Sequence, residues 1–216
     1  MQNLSLSKRL ISVWPMLIKC SEVDTRTDCV NNVSEDLSLL KDVSKRDAAQ
    51  DCADIVPNLL QHPDGLGIIR NGYSKHFYSS GAFNLIQLIF YVLKYTGPAN
   101  LFLTSYSISI DSINALHRKL DAGDLLSARF LIDNRVRSIS PKPFDVLVNS
   151  FPGCYRCCAL HAKVGLIWND NWHITIVGSQ NATHNPKLER GIIHTDKQIF
   201  DFDYNILCDE FDKGAT

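Results

Sequence analysis

His161 and Lys163 stand two apart, and eighteen residues after the lysine Asn181 closes the tetrapeptide Gly178-Ser179-Gln180-Asn181. In an extended segment a spacing of two puts both side chains on one face. Apolar runs at 164–167 and 174–177 flank Asn169-Asp170-Asn171, a composition suited to a hairpin turn. Pairing the runs gathers an imidazole, an ammonium and a carboxamide at one end of a sheet, a group suited to gripping a phosphate. Lys163 adds to this reading, because a lysine leading into an apolar strand is costly to bury without an anionic partner.

The arrangement resembles the phospholipase D-like superfamily, whose signature is His-x-Lys, four residues, Asp, and then a Gly-Ser-x-Asn turn. His161, Lys163, Gly178, Ser179 and Asn181 match it, whereas Trp168 stands where the acid belongs and the nearest carboxylate is Asp170. The family's acid is usually a supporting residue, so its replacement leaves two readings open, an enzyme and a binding module without turnover. The resemblance implies a histidine that attacks phosphorus to form a phosphohistidine while the matching histidine of a second half protonates the leaving oxygen. Only one His-x-Lys leads into a Gly-Ser-x-Asn turn in the 216 residues. The second half is therefore expected from another copy of the chain, with His161 serving in both roles across a homodimer.

Lys163 and Asn181 would then donate hydrogen bonds to the oxygens where charge grows, and the resemblance implies neither metal nor other cofactor. Ser179 is either a further site residue or a hydroxyl that stabilises its turn. Glu189, in Asn185-Pro186-Lys187-Leu188-Glu189-Arg190, lies where family members carry an acid that orients the histidine; a surface pair with Arg190 is the alternative. Gly178, Arg135, Arg137 and His184 are candidates for substrate binding. Cys154-x2-Cys157-Cys158-x2-His161 also admits a zinc reading, with His184 or Cys208 completing the set. That reading competes with the nucleophile, because zinc on His161 would silence it.

Composition bounds these ideas. The formal charge is -1, which gives no whole-molecule argument for nucleic acid. Locally, 129–163 holds six basic residues (Arg129, Arg135, Arg137, Lys142, Arg156, Lys163) against Asp133 and Asp145. This is either a phosphate-backbone surface or an ordinary solvated stretch. Seven cysteines in a chain with ample apolar residues point to a reducing, cytoplasmic setting. Lys8-Arg9 precedes an apolar stretch at 10–18, but Pro15 interrupts it and no small-residue cleavage site follows, so neither a signal peptide nor a membrane span is expected.

The elements that must position the site follow from pattern. Residues 1–65 read as a helical N-terminal extension and linker, with a helix starting near Ser34 and running towards Pro57 after a patternless loop at 19–33. Residues 62–80 read as polar linker with one short strand at 67–70. From there, Ser79 or Ser80 caps a nearly all-apolar helix at 82–95, 99–106 is a strand, Asp111 caps a helix at 112–120, and 128–133 is the next strand. Pro141-Lys142-Pro143 breaks the chain before a short helix or irregular stretch at 144–150. Strand, helix, strand ahead of the hairpin predicts, for 66–216, a layered α/β/α sandwich around a mixed sheet, the order in which the phospholipase D-like fold begins.

The function expected is a metal-independent phosphodiesterase, specifically a nuclease, because short single-motif members of the family tend to be dimeric nucleases. A catalytically impaired module binding nucleic acid or another phosphodiester is the alternative. Phospholipid hydrolysis is a third, disfavoured because the most apolar helix has no polar face.

Overall fold

Eight strands form one mixed sheet in a computed structural model that describes residues 49–59 and 65–216. The order across the sheet is β1-β2-β8-β7-β6-β3-β4-β5. Its strands are β1 (Ala49–Val56), β2 (Tyr73–Ser80), β3 (Ala99–Ser105), β4 (Leu125–Asp133), β5 (Tyr155–Cys158), β6 (Val164–Trp168), β7 (His173–Gly178) and β8 (Leu188–His194). Five described helices accompany them: α1 (Leu85–Thr96), α2 (Ile110–Asp121), the single turn α3 (Val136–Ile139), α4 (Pro141–Ser150) and α5 (Lys197–Lys213).

Two parallel crossovers build one half of the sheet. β3, α2 and β4 make the first, and β4, the helices α3 and α4, and β5 the second. β6, β7 and β8 then run antiparallel to their neighbours, and β8 joins this half to β2. Alternation along the strands feeds two cores. Leu101, Leu103, Phe130, Ile132 and Ile167 pack with α1, α2 and α4, while Phe102, Leu131, Val164 and Leu166 pack with Phe200 and Leu207 of α5. Helices therefore cover both faces, and the expected α/β/α sandwich around a mixed sheet is what the chain forms.

α1 buries Leu85, Ile86, Leu88, Ile89, Tyr91, Val92 and Leu93, as its all-round apolar pattern requires. Its cap is Asn84 and not Ser79 or Ser80, which are the last residues of β2. Asn84 and Gln87 exchange side-chain and backbone hydrogen bonds at 2.9 Å, a reciprocal box that a lone serine upstream could not make. Ser109, one residue before Ile110, likewise caps α2 in place of Asp111, which sits in the first turn. Pro141 opens α4 instead of preceding it, since an N-terminal helical position needs no amide donor.

The helix expected to run towards Pro57 is, over Ala49–Val56, the strand β1. Parallel pairing with β2 overrides its helical spacing, and Asp51 meets Lys75 Nζ at 2.5 Å across the pair. The short strand expected at 67–70 does not form; the strand is Tyr73–Ser80, read from sequence as linker. Five of the eight residues in Tyr-Ser-Lys-His-Phe-Tyr-Ser-Ser are small or polar, but Ser74, Lys75, Phe77 and Ser79 are buried by their neighbours. The remainder of the expected N-terminal helix, the loop at 19–33 and the apolar stretch at 10–18 lie outside the described residues.

Candidate active site

The carboxyl ends of β2, β3, β4 and β5 lie at the edge of the sheet where the His-x-Lys segment enters β6 and the Gly-Ser-x-Asn turn leaves β7. Crevices outside the carboxyl ends of strands are where layered α/β folds place ligands. Here a cleft of about 590 Å³ is lined by His161, Lys163, Gly178, Ser179, Asn181 and Glu189, with Asn185 and Lys187 on its rim. The hairpin register brings these residues together, pairing Val164 with Val177 across the Asn169-Asp170-Asn171 turn. Asn169 Oδ1 accepts from the amides of Asn171 and Trp172 at 3.0 Å each and so holds that turn.

Two residues that the motif does not contain fix the His161 segment. Thr104 Oγ1 donates to Ala162 O at 3.0 Å and accepts from Val164 N at 2.9 Å, bracketing Lys163. Asp133, 3 % exposed, accepts the Leu160 amide at 3.1 Å just ahead of His161. Its carboxyl also takes Arg135 Nε at 2.8 Å, and the guanidinium holds it below the usual carboxylate value. Both residues end buried strands, and only the folded sheet brings them to the motif.

His161 is exposed and stands beside the ring of Tyr106, 5.5 Å between centroids. Lys163 is 8 % exposed, with Nζ 2.7 Å from the His161 carbonyl and 3.3 Å from each imidazole nitrogen. Among the described residues no carboxylate forms a salt bridge with it. Burial pushes its pKa below the lysine norm, partly opposed by the charge of Glu189.

Glu189, 5 % exposed, accepts Asn185 Nδ2 at 2.5 Å and the hydroxyl of Ser179. It makes no hydrogen bond with His161 among the described residues; its carboxylate faces the lysine side of the cleft. Ser179 Oγ also accepts Arg190 N at 3.0 Å, so the hydroxyl is engaged within its own turn. A Cβ on Gly178 would fall 2.7 Å from Arg190 O and 2.9 Å from Gln180 Oε1, which explains the glycine there.

Asn181 is anchored through its backbone. Its carbonyl accepts Leu85 N at 3.2 Å at the start of α1. The next residue, Ala182, is tied to Ser105, Ser109 and Ser112 on the β3–α2 side. The Asn181 carboxamide has no partner among the described residues, and its Oδ1 is enclosed. Among the described residues the Lys163 ammonium has no salt bridge and the Asn181 Nδ2 no acceptor, and both line one cleft, so they are donors that an anionic ligand satisfies, whereas the enclosed Oδ1, an acceptor, is not served by an anion.

Other expected residues fall elsewhere. Arg135 lines a second depression, of about 520 Å³, on the far side of His161. Arg137 lies over the Phe144 ring at 5.2 Å, and His184 is exposed and does not line the cleft. The local excess of basic residues is not one surface, since Arg129 and Arg156 lie over Phe211 of α5. Cys157 and Cys158, adjacent on β5, enter opposite cores, which prevents them from sharing one tetrahedral centre with His161. Burial raises the Cys158 thiol pKa further from the thiolate that a metal would need.

Trp168 occupies the opposite end of β6 from Lys163. It packs against Phe200 at 5.7 Å and Tyr204 at 5.3 Å, between the sheet and α5. The position that departs from the signature is therefore a packing position remote from the cleft.

No family model and no curated protein matches the chain. Among solved structures, it is similar to polyphosphate kinase from Porphyromonas gingivalis, with 13% identity and a TM-score of 0.48 over 66% of this chain and 26% of that one. NucT from Helicobacter pylori gives 15% identity and a TM-score of 0.43 over 65% of this chain and 97% of that one. TrmBL2, described as an archaeal chromatin protein with a novel mode of DNA binding, gives 10% identity and a TM-score of 0.43 over 99% and 71%. The first two are phospholipase D-like proteins. Likeness this distant adds nothing to the chemistry of the cleft, which rests on its own geometry. Among the described residues no helix is long and apolar enough to cross a membrane.

Proposed function

We propose that the chain is a metal-independent phosphodiesterase, specifically a nuclease, acting through a phosphohistidine at a site shared by two copies. The observation that carries this reading is Lys163, a buried ammonium with no salt bridge among the described residues, lining one cleft with the exposed His161 imidazole and an Asn181 carboxamide whose Nδ2 makes no hydrogen bond among those residues. A phosphodiester placed in the cleft meets two donors for its non-bridging oxygens and a nucleophile beside them.

In the first step a ring nitrogen of His161 forms a P–N bond as the P–O bond to the leaving group breaks. The proton on the leaving oxygen comes from the partner subunit's His161. Water then attacks phosphorus, the P–N bond breaks, and the partner subunit's His161 takes the proton that water loses. The two imidazoles start in opposite protonation states, which a pKa near neutrality permits. Lys163 offsets the negative charge that the phosphoryl oxygens gain, and the Glu189 charge partly opposes the lowering of its pKa by burial.

The test is cleavage of single-stranded and duplex DNA and RNA by the purified full chain in EDTA, with His161→Ala alongside. Cleavage by the parent and none by the variant is the expected result. Cleavage that needs an added metal, or that survives the substitution, would overturn the proposal.

A further inference from the structure

The second depression shares only His161 with the first, and its floor is built as firmly. Asp133 takes Arg135 through Nε at 2.8 Å, Nη2 at 3.4 Å and the backbone amide at 3.0 Å, so the guanidinium cannot swing freely. Its carbon lies 4.8 Å from the centre of the Tyr106 ring. The same ring stands 5.5 Å from the His161 ring, with Lys163 Nζ 5.8 Å from its centre on the cleft side. One tyrosine thus spaces a fixed guanidinium from the nucleophile and its lysine.

The guanidinium is also presented to solvent. The Arg135 side chain is 59% exposed while that of Asp133 is 4% exposed, so an approaching anion meets the cation and not its counter-ion. The Arg135 donors not engaged by Asp133 suit a planar fork for phosphate oxygens. Two cations and the His161 ring already stand within about 6 Å of the Tyr106 ring, which disfavours stacking of a base on it.

We propose that Arg135, positioned by Asp133 and Tyr106, binds the phosphate next in line to the one held by Lys163 and Asn181. The substrate class is accordingly a chain of phosphodiesters and not an isolated small diester. This rests on the phosphodiesterase reading of the first cleft. Arg135 acts as a specificity residue that contributes binding to longer substrates and leaves the chemical step alone.

The experiment compares three thymidine dinucleotides, one unphosphorylated, one with a 5′-phosphate and one with a 3′-phosphate, in EDTA. One phosphorylated form should show a KM about tenfold lower than the unphosphorylated one, about 1.4 kcal/mol, at similar kcat. Arg135→Gln keeps a donor for Asp133 and should abolish that advantage, read as the ratio of KM values between phosphorylated and unphosphorylated dinucleotides within the variant. Arg135→Lys, which keeps charge but not the fork, should retain part of it.

Equal KM for all three substrates in the parent, or an equal rise on all three in Arg135→Gln, would overturn the inference and leave the phosphodiesterase reading standing. If none is cleaved, cleavage of DNA or RNA decides the phosphodiesterase reading, and anisotropy with the same dinucleotides, fluorescently labelled, decides the subsite. Tighter binding of a phosphorylated form that Arg135→Gln removes would support it, and equal binding would sink it.

Discussion

The two ends of β6 do opposite work. At the Lys163 end the side chains are polar, incompletely paired and turned towards a cleft, and the lysine carries a shifted pKa because burial opposes its charge. At the Trp168 end, five residues along, an indole fills a gap among Phe200, Tyr204 and partly buried neighbours on α5. The Lys163 end offers donors that a ligand can complete, and the Trp168 end keeps close packing. Departure from a motif at the packed end therefore says little about chemistry at the open end.

The largest effect separating the two ends is expected from His161→Ala, which should lower diester turnover by at least about 10³-fold. Its melting temperature should stay near that of the parent, because His161 is exposed. Gly178→Ala comes next: its Cβ must displace Arg190 O or Gln180, shifting the turn that presents Asn181. A displacement of that kind should reduce kcat/KM by about 10²-fold, read from steady-state kinetics on an oligonucleotide.

Trp168→Ala should do the reverse, costing about 2–3 kcal/mol of stability by urea unfolding with kcat/KM changed less than about threefold. Trp168→Asp, which restores the signature acid, should be at least as destabilising and should not raise turnover. A gain in kcat from that acid would erase the distinction between the ends.

How much of this was legible in sequence follows the same division. His161, Lys163, Gly178 and Asn181 could be read because their spacing is local and a hairpin is a short-range structure. Thr104 and Asp133, which hold the segment, were not legible, since each lies tens of residues from it and looks like any polar strand end. β2 was hidden by its serines, lysine and histidine; the burial of Ser74, Lys75 and Ser79 comes from neighbouring elements and not from its own pattern. α5 places only Phe200 and Leu207 fully inside among seventeen residues, too sparse a stripe to stand out. Tyr106 carried no signal at all until the fold set it between Arg135 and His161.

The smallest effect expected is on pH dependence. Burial lowers the Lys163 pKa in the folded chain, so the ammonium is lost at a lower pH than in the unfolded chain. Its charged form opposes folding at low and neutral pH, and that penalty is relieved as pH rises between the folded and unfolded values. Activity should move the other way, falling on an alkaline limb with a midpoint below the usual lysine value of 10.5. Glu189→Gln, which removes the opposing carboxylate charge, should shift that limb to still lower pH.

Everything proposed for the cleft turns on covalent phosphorylation of His161. Incubating the full chain in EDTA with a diester labelled at phosphorus, followed by denaturation and peptide mapping, tests it directly. An acid-labile label confined to the peptide containing His161, and absent from His161→Ala, is the predicted result. Diester cleavage with no label on His161 at any time point would contradict the account.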